Sequence, residues 1–201
     1  SSELGTVYTP EEIRAIADHI HAMGLALHMD GARLANAAAA LDVPLRALTT
    51  DAGVDVLSFG GTKNGAMLAE AVVVLDPDRV PGVDFLRKTS MQLASKMRFL
   101  SAQLLALLTD DLWLANARHA NAMAQLLRSR VETIPQVVIT QAVQSNAVFA
   151  RLPREATERL QEEFHFYTWD ASTGEVRWMC SWDTTTEDVE RFATALERAL
   201  P

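Results

Sequence analysis

A single cysteine, Cys180, stands in the 201 residues, so no intrachain disulfide can form and no cysteine-rich zinc site exists. Long apolar runs are missing too: charges or prolines interrupt every stretch that approaches the roughly 20 residues a membrane helix needs. There is no basic excess either, since 18 Lys and Arg stand against 26 Asp and Glu, for a formal net charge of −8. The basic residues are scattered rather than clustered, so the chain is not built to grip nucleic acid or an anionic membrane by bulk electrostatics. The opening SSELGTVYTPEEI lacks the basic-then-apolar order of a signal peptide. No internal repeat, low-complexity tract or G-x-x-x-x-G-K-[ST] phosphate loop occurs. These absences point to a soluble chain of a reducing compartment, expected in the cytoplasm and without nucleic-acid or membrane partners.

What is present is a globular composition, 49% hydrophobic and 22% charged, enough for one substantial core or for a domain with a small companion. TPEEIRAIADHIHAMG predicts a helix: Thr9 caps it, Glu12 completes a capping box, Pro10 fits the first turn and Gly24 ends it. His19 and His21 lie two apart on that helix and point to different faces, so no metal site is expected there. Leu25–Asp30 reads as a buried strand, ARLANAAAAL as a helix, VDVLSF as a second strand and Glu70–Leu75 as a third. The alternation predicts a doubly covered, mostly parallel α/β sheet. Sheets of that kind bind ligands at the carboxyl ends of their strands, where Asp30 and Lys63 both fall. From Phe85 to Ile134 the chain reads as long helices, expected to bridge to a second unit and to support self-association. After the boundary near Ile134–Gln136 come strands at Val137–Thr140 and Ala147–Leu152, a helix REATERLQEEF, a strand Glu175–Asp183 and a closing helix with a threonine cap. The expected organisation is therefore 1–134 as part of a large domain and 135–201 as a small α+β domain.

The stretch DVLSFGGTKNGAMLAEAVVVL places one lysine, Lys63, among small residues between two apolar runs. A lysine at a strand end in a glycine-rich turn can contact a phosphate as a point charge or form a Schiff base. Asp30 favours the second use. Pyridoxal-phosphate chemistry needs a lysine for the aldehyde and a carboxylate against the pyridine nitrogen. Arg33, less than a helical turn beyond Asp30, can offer a guanidinium fork to an amino-acid carboxylate. Plain roles compete for each residue: Asp30 as a helix N-cap, Arg33 as a solvated helix residue, His28 as a satisfied core histidine, Arg177 as a surface strand position and Cys180 as an apolar filler.

HMDGARLANAAAALDVPL followed by DVLSFGGTKNGAMLAEAVVVL resembles the threonine aldolase group of the β-eliminating lyases, pyridoxal-phosphate enzymes of the aspartate-aminotransferase-like fold (fold type I). GTVYTPEEI, QLASKMRFLSAQ and VRWMCSWDTTTEDVERF extend the resemblance over essentially the whole chain. It implies that Lys63 carries the cofactor and Asp30 faces its ring nitrogen. Arg33 contacts the substrate carboxylate or the cofactor, and Arg177 helps to bind the carboxylate. Ser58 and Thr62 reach the phosphate, and His28 lies beside the cofactor. Lys96 and Arg98 fall where basic residues approach the phosphate, across a subunit interface. The implied reaction cleaves a β-hydroxy-α-amino acid to glycine and an aldehyde, in a dimer or tetramer with shared active sites. Two alternatives stand beside it: another pyridoxal-phosphate β-eliminating lyase of the same fold, or a catalytically silent fragment that acts in assembly.

The resemblance covers roughly the C-terminal three-fifths of such an enzyme. The part that would carry the phosphate cup, the group stacked on the ring and histidines for proton transfer has no counterpart upstream of LGTVYTPEEI. The expectation is an N-terminally truncated chain whose central sheet bares an edge or a core face.

Overall fold

The strand that precedes Lys63 lies in the middle of a three-stranded sheet, and that sheet organises one of two compact units in the computed structural model, which describes residues 2–200. This unit runs from Tyr8 to Ala115. Its first helix, α1 (Pro10–Ala22), starts as its sequence predicts: the Glu12 N–H donates to Thr9 Oγ1 at 3.2 Å, and the Glu12 carboxylate accepts the Thr9 N–H at 2.8 Å. Strand β1 spans His28–Gly31, shorter than the apolar run before it, because only these residues find a partner strand. Helix α2 (Leu34–Leu41) follows, then two short 3-10 turns, strand β2 (Val56–Gly60), a 3-10 turn bearing Lys63, and strand β3 (Glu70–Val74).

The sheet order is β1-β2-β3. The expected parallel pairing holds between β1 and β2, with Asp30 opposite Ser58. β3 departs from it and runs antiparallel to β2. The reason is the connection: residues 61–69 are too few for a parallel crossover, which takes about a dozen residues or more. Small side chains let α2 pack close, with Ala35, Ala37 and Ala38 buried beside Leu34, Leu57 and Phe59. Gly53, at φ +88°, closes the second 3-10 turn, and a Cβ there would sit 2.9 Å from the Ala17 Cβ of α1. Val72 and Val73 on β3 are both exposed, at 62% and 37%, although neighbouring strand residues face opposite ways. Among the described residues neither the outer edge of β1 nor that of β3 has a strand partner. The one or two helices expected after Phe85 are α3 (Val83–Thr89) and α4 (Arg98–Leu108), separated by Met91 and Lys96 in the left-handed region at φ 55° and 60°.

The other unit joins the N-terminal stretch through Val7 to the chain from Asn116 onward. The division falls inside helix α5 (Leu112–Val131), ahead of the change of pattern near residue 134. The side chains explain its place: Ala124, Leu127 and Val131 of α5 belong to the same buried cluster as Val148, Val176 and Leu196. Strands β4 (Val138–Ile139), β5 (Ala147–Arg151), β6 (Tyr167–Asp170) and β7 (Glu175–Met179) form an antiparallel sheet in the order β4-β5-β7-β6. Helices α6 (Arg154–Gln161) and α7 (Thr186–Ala199) supply Leu160, Val189 and Leu196 to its core. A second capping box opens α7, where Thr185 Oγ1 accepts the Asp188 N–H at 3.1 Å. No described helix is long and apolar enough to cross a membrane.

One buried carboxylate ties the first unit together. Asp55, 2% exposed, stands just before β2. Its Oδ2 accepts the Leu27 N–H at 2.6 Å and the His21 Nε2–H at 2.8 Å, and Arg79 Nε lies 3.6 Å from Oδ1. Its carbonyl accepts the N–H groups of Leu75 and Asp76 at 2.8 and 3.0 Å. Burial pushes the carboxyl pKa up, but the hydrogen bonds from Leu27 and His21 and the electrostatic attraction of His21 and Arg79 outweigh it and hold it below its ordinary value. A carboxyl depressed in the fold contributes stability above its unfolded pKa, about 3.9, and loses it as pH falls through the folded value. We therefore expect Asp55→Asn to lower stability by about 3 kcal/mol at pH 7. Urea titrations at several pH values are expected to show the wild-type advantage shrinking below about pH 4. A difference that stays constant down to pH 2 would contradict the assignment.

Candidate active site

β1 and β2 are parallel, so their carboxyl ends lie at the same edge of the sheet. Asp30, Arg33, Thr62 and Lys63 fall at that edge, with Ser58 in the middle of β2 and His28 at the start of β1. His28 and Asp30, two apart on β1, share the face on which Ser58 sits opposite Asp30. His28 Nε2 and Ser58 Oγ are joined by a 2.9 Å hydrogen bond, so His28 is a surface strand residue with a partner across the ladder rather than a core histidine. Asp30 is exposed, and its Oδ1 accepts the Ala32 N–H at 2.9 Å. That bond fixes the carboxylate over the turn into α2. The N-cap position itself is Arg33, which has no side-chain cap bond. The N-cap role foreseen for Asp30 is therefore not taken: one oxygen serves the turn before α2, and the residue stays exposed.

Lys63 follows β2 on the turn Thr62–Asn64 and is exposed. Its backbone is held from several sides. The Gly61 N–H donates to the Ala69 carbonyl at 2.9 Å, and the Ala69 N–H to Thr62 Oγ1 at 3.2 Å. The Thr62 N–H reaches Glu70 Oε1 at 3.3 Å, and the buried Asn64 amide donates to the Trp113 carbonyl at 2.9 Å. Thr62 is therefore a member of the turn's own scaffold, with its hydroxyl already accepting one bond. A Cβ on Gly60 would lie 2.7 Å from Ala32 Cα, so the end of β2 presses against the backbone that leaves β1. On the same sheet face as Ser58, Glu70 and Val72 border a cleft of about 750 Å³, walled by Leu86, Met91 and Leu104.

Other predicted residues lie elsewhere. Lys96 is exposed in the bend before α4, and Arg98 begins α4 with its guanidinium carbon 5.0 Å from the Phe99 ring centre. Arg177 belongs to the C-terminal unit, on β7 between Phe149 and Tyr167. Its guanidinium carbon lies 4.6 Å from the Trp169 ring centre and 5.5 Å from that of Tyr167, and its Nε is buried without a hydrogen bond in the protein. A buried donor left unpaired costs about 1–3 kcal/mol, so this is not a plain surface arginine. Cys180 is buried, and burial raises its thiol pKa to about 12, which makes it inert.

Sequence reasoning missed Glu70, Trp169 and Tyr167. The aromatic pair lies on β6, a strand the reading passed over. Its signal was there: HFYTWD, rich in strand formers, precedes the turn residues ASTG and the strand EVRWM.

Comparison with known proteins identifies the family. The family model for beta-eliminating lyase matches residues 1–153. The chain belongs to the beta-eliminating lyase family. It is 44% identical over all 201 residues to a low specificity L-threonine aldolase of Pseudomonas sp., and 45% identical over 194 residues to one of Pseudomonas aeruginosa. It spans 58% and 56% of the lengths of these curated relatives. The Leishmania major threonine aldolase structure superposes with a TM-score of 0.88 at 30% identity, over 98% of this chain and 58% of that one. Catharanthus roseus tryptophan decarboxylase, at 17% identity and a TM-score of 0.68 over 98% of this chain and 49% of that one, shares the fold alone. The fold is the aspartate-aminotransferase-like one of fold type I pyridoxal-phosphate enzymes, present in part.

In this chain the close approach of Gly60 to Ala32 makes a checkable demand. The atoms a Gly60 Cβ would meet are backbone, Ala32 Cα at 2.7 Å and Ala32 O at 2.9 Å, and cannot rotate away. Gly60→Ala is expected to cost about 1–3 kcal/mol, read as a lowered urea midpoint. An unchanged midpoint would mean that the end of β2 is not pressed against Ala32.

Proposed function

We propose that the chain is the lysine-bearing part of a pyridoxal-phosphate-dependent carbon–carbon lyase that cleaves β-hydroxy-α-amino acids to glycine and an aldehyde. The observation that carries this reading is the placement of Asp30 near the carboxyl end of β1 and of Lys63 on the turn just after β2, its parallel neighbour. The donor set suits the cofactor: an exposed primary amine on a rigid turn, a carboxylate steadied by one backbone N–H, and the hydroxyl of Ser58 beside them. When bound, pyridoxal phosphate supplies the electron sink for the bond broken at Cα. Lys63 would hold its aldehyde carbon, and Asp30 would stand against the ring nitrogen and keep it protonated. Ser58 and Thr62 would serve the phosphate, and His28, bonded to Ser58, would lie beside the ring. Arg33 would contact the substrate carboxylate or the cofactor, and Arg177 is a carboxylate ligand on the strength of its unpaired Nε. Lys96 and Arg98 are proposed as basic residues near the phosphate.

The likeness to two low specificity L-threonine aldolases supports the substrate class. A homo-oligomer, dimer or tetramer with shared active sites, in the cytoplasm, belongs to the same proposal. It is supported by exposed Phe85, Leu86 and Met91 at α3 and Phe99, Leu105 and Leu108 on α4. A second reading, a chain that acts only in assembly, draws on the unpartnered edges of β1 and β3.

The test is absorption spectroscopy with added pyridoxal phosphate, then borohydride reduction and peptide mapping. A band near about 420 nm that becomes a fixed adduct on Lys63 is the expected result, and Lys63→Arg is expected to abolish it. Adducts spread over the surface lysines would reject the cofactor site and leave the assembly reading in front. Given the Lys63 adduct, product analysis separates glycine plus aldehyde from the pyruvate plus ammonia of a β-eliminating reaction.

A further inference from the structure

The second unit carries an arginine held in an unusual way. Arg177 lies at the centre of a row across the sheet, paired with Phe149 of β5 on one side and Tyr167 of β6 on the other. Its guanidinium lies within 4.6 Å of the Trp169 ring centre and 5.5 Å of the Tyr167 ring centre. Trp169 is itself fixed: its ring meets Phe149 edge to face, with centroids 5.4 Å apart and planes at 86°. Phe149 is buried to 1% exposure and cannot give way. The register of β6 against β7 shifts between Thr168 and Asp170, at Trp169, and such irregularities re-aim side chains. No carboxylate is paired with Arg177 among the described residues, and its Nε is buried without a hydrogen bond.

Cation–π contact is attractive but uses no N–H donor. It therefore restrains the guanidinium while leaving its hydrogen-bonding edge unspent. A bidentate carboxylate takes two parallel N–H groups of the fork, and a buried unpaired Nε–H is such a group already stripped of competing partners. We propose that Trp169, assisted by Tyr167, is a positioning residue that holds Arg177 as a pre-oriented fork for a carboxylate. This rests on the carboxylate role given to Arg177 under Proposed function. The ligand class is a small amino-acid carboxylate.

The test uses the full chain and does not depend on catalysis. Nitrogen-15-edited NMR of arginine side chains reports the Arg177 Nε–H directly, assigned by its loss in Arg177→Lys. The wild-type signal is expected to be shifted by the Trp169 ring current and to move on titration with glycine. Trp169→Leu is expected to abolish the ring shift and to weaken the glycine midpoint about tenfold, which corresponds to about 1.4 kcal/mol. Trp169→Phe is expected to restore most of it. Tyr167→Leu, at a residue 60% exposed and so tolerant of change, is expected to weaken binding about threefold and serves if Trp169→Leu fails to fold. Covalent trapping at Lys63 is expected to stay unchanged in all three. An unchanged midpoint in Trp169→Leu and Tyr167→Leu overturns the positioning role while Arg177 remains a carboxylate ligand. A wild-type signal that ignores glycine rejects the carboxylate role of Arg177 and this inference with it, and trapping at Lys63 then reports separately on the cofactor site.

Discussion

Burying an ionised carboxylate is costly unless each of its oxygens is met, and the arrangement around Asp55 satisfies that demand by drawing the first unit together. One side chain collects the N–H of Leu27 before β1 and the imidazole of α1, with Arg79 close by, while its carbonyl takes the chain leaving β3. All of these sit at the end of the sheet opposite the turn that bears Lys63. The strands are fixed at the far end, so their carboxyl ends can be given to short turns packed on one another. Gly60 against Ala32, and Thr62 against Ala69, are the consequence.

The division of labour suits lysine chemistry. A lysine that is to hold a cofactor needs a rigid backbone and an uncommitted amine, two demands that conflict if the side chain itself provides the rigidity. Here Gly61, Thr62 and Asn64 supply the bonds that fix the turn, and Lys63 stays exposed. The aromatic setting of Arg177 resolves the same conflict differently. Stacking on Trp169 restrains a cation without consuming a donor, whereas a salt bridge would have fixed it and spent it.

Much of this was legible in the sequence. Both capping boxes, Thr9 with Glu12 and Thr185 with Asp188, are spelled within four residues and form as written. The positions of β2, β3 and β5 follow from runs of apolar and β-branched residues. The placement of Asp30 and Lys63 towards the carboxyl ends of β1 and β2 could be read because each follows its own apolar run. Harder to read were the break between α3 and α4, which depends on non-glycine residues at positive φ, and the place where α5 passes from one unit to the other. That depends on which core receives Ala124, Leu127 and Val131.

The sequence alone determined what depends on near neighbours: where helices start, which segments prefer to be extended, that no disulfide forms, and that one lysine and one aspartate sit at strand ends. Capping and periodicity act over a turn or two, so a local stretch contains the whole cause. Only the tertiary structure decided the pairing of β1 with β2, the convergence on Asp55 and the register that sets Arg177 opposite Phe149 of β5. Those outcomes rest on register and on which groups must be satisfied once water is excluded, conditions that exist only after distant segments have met.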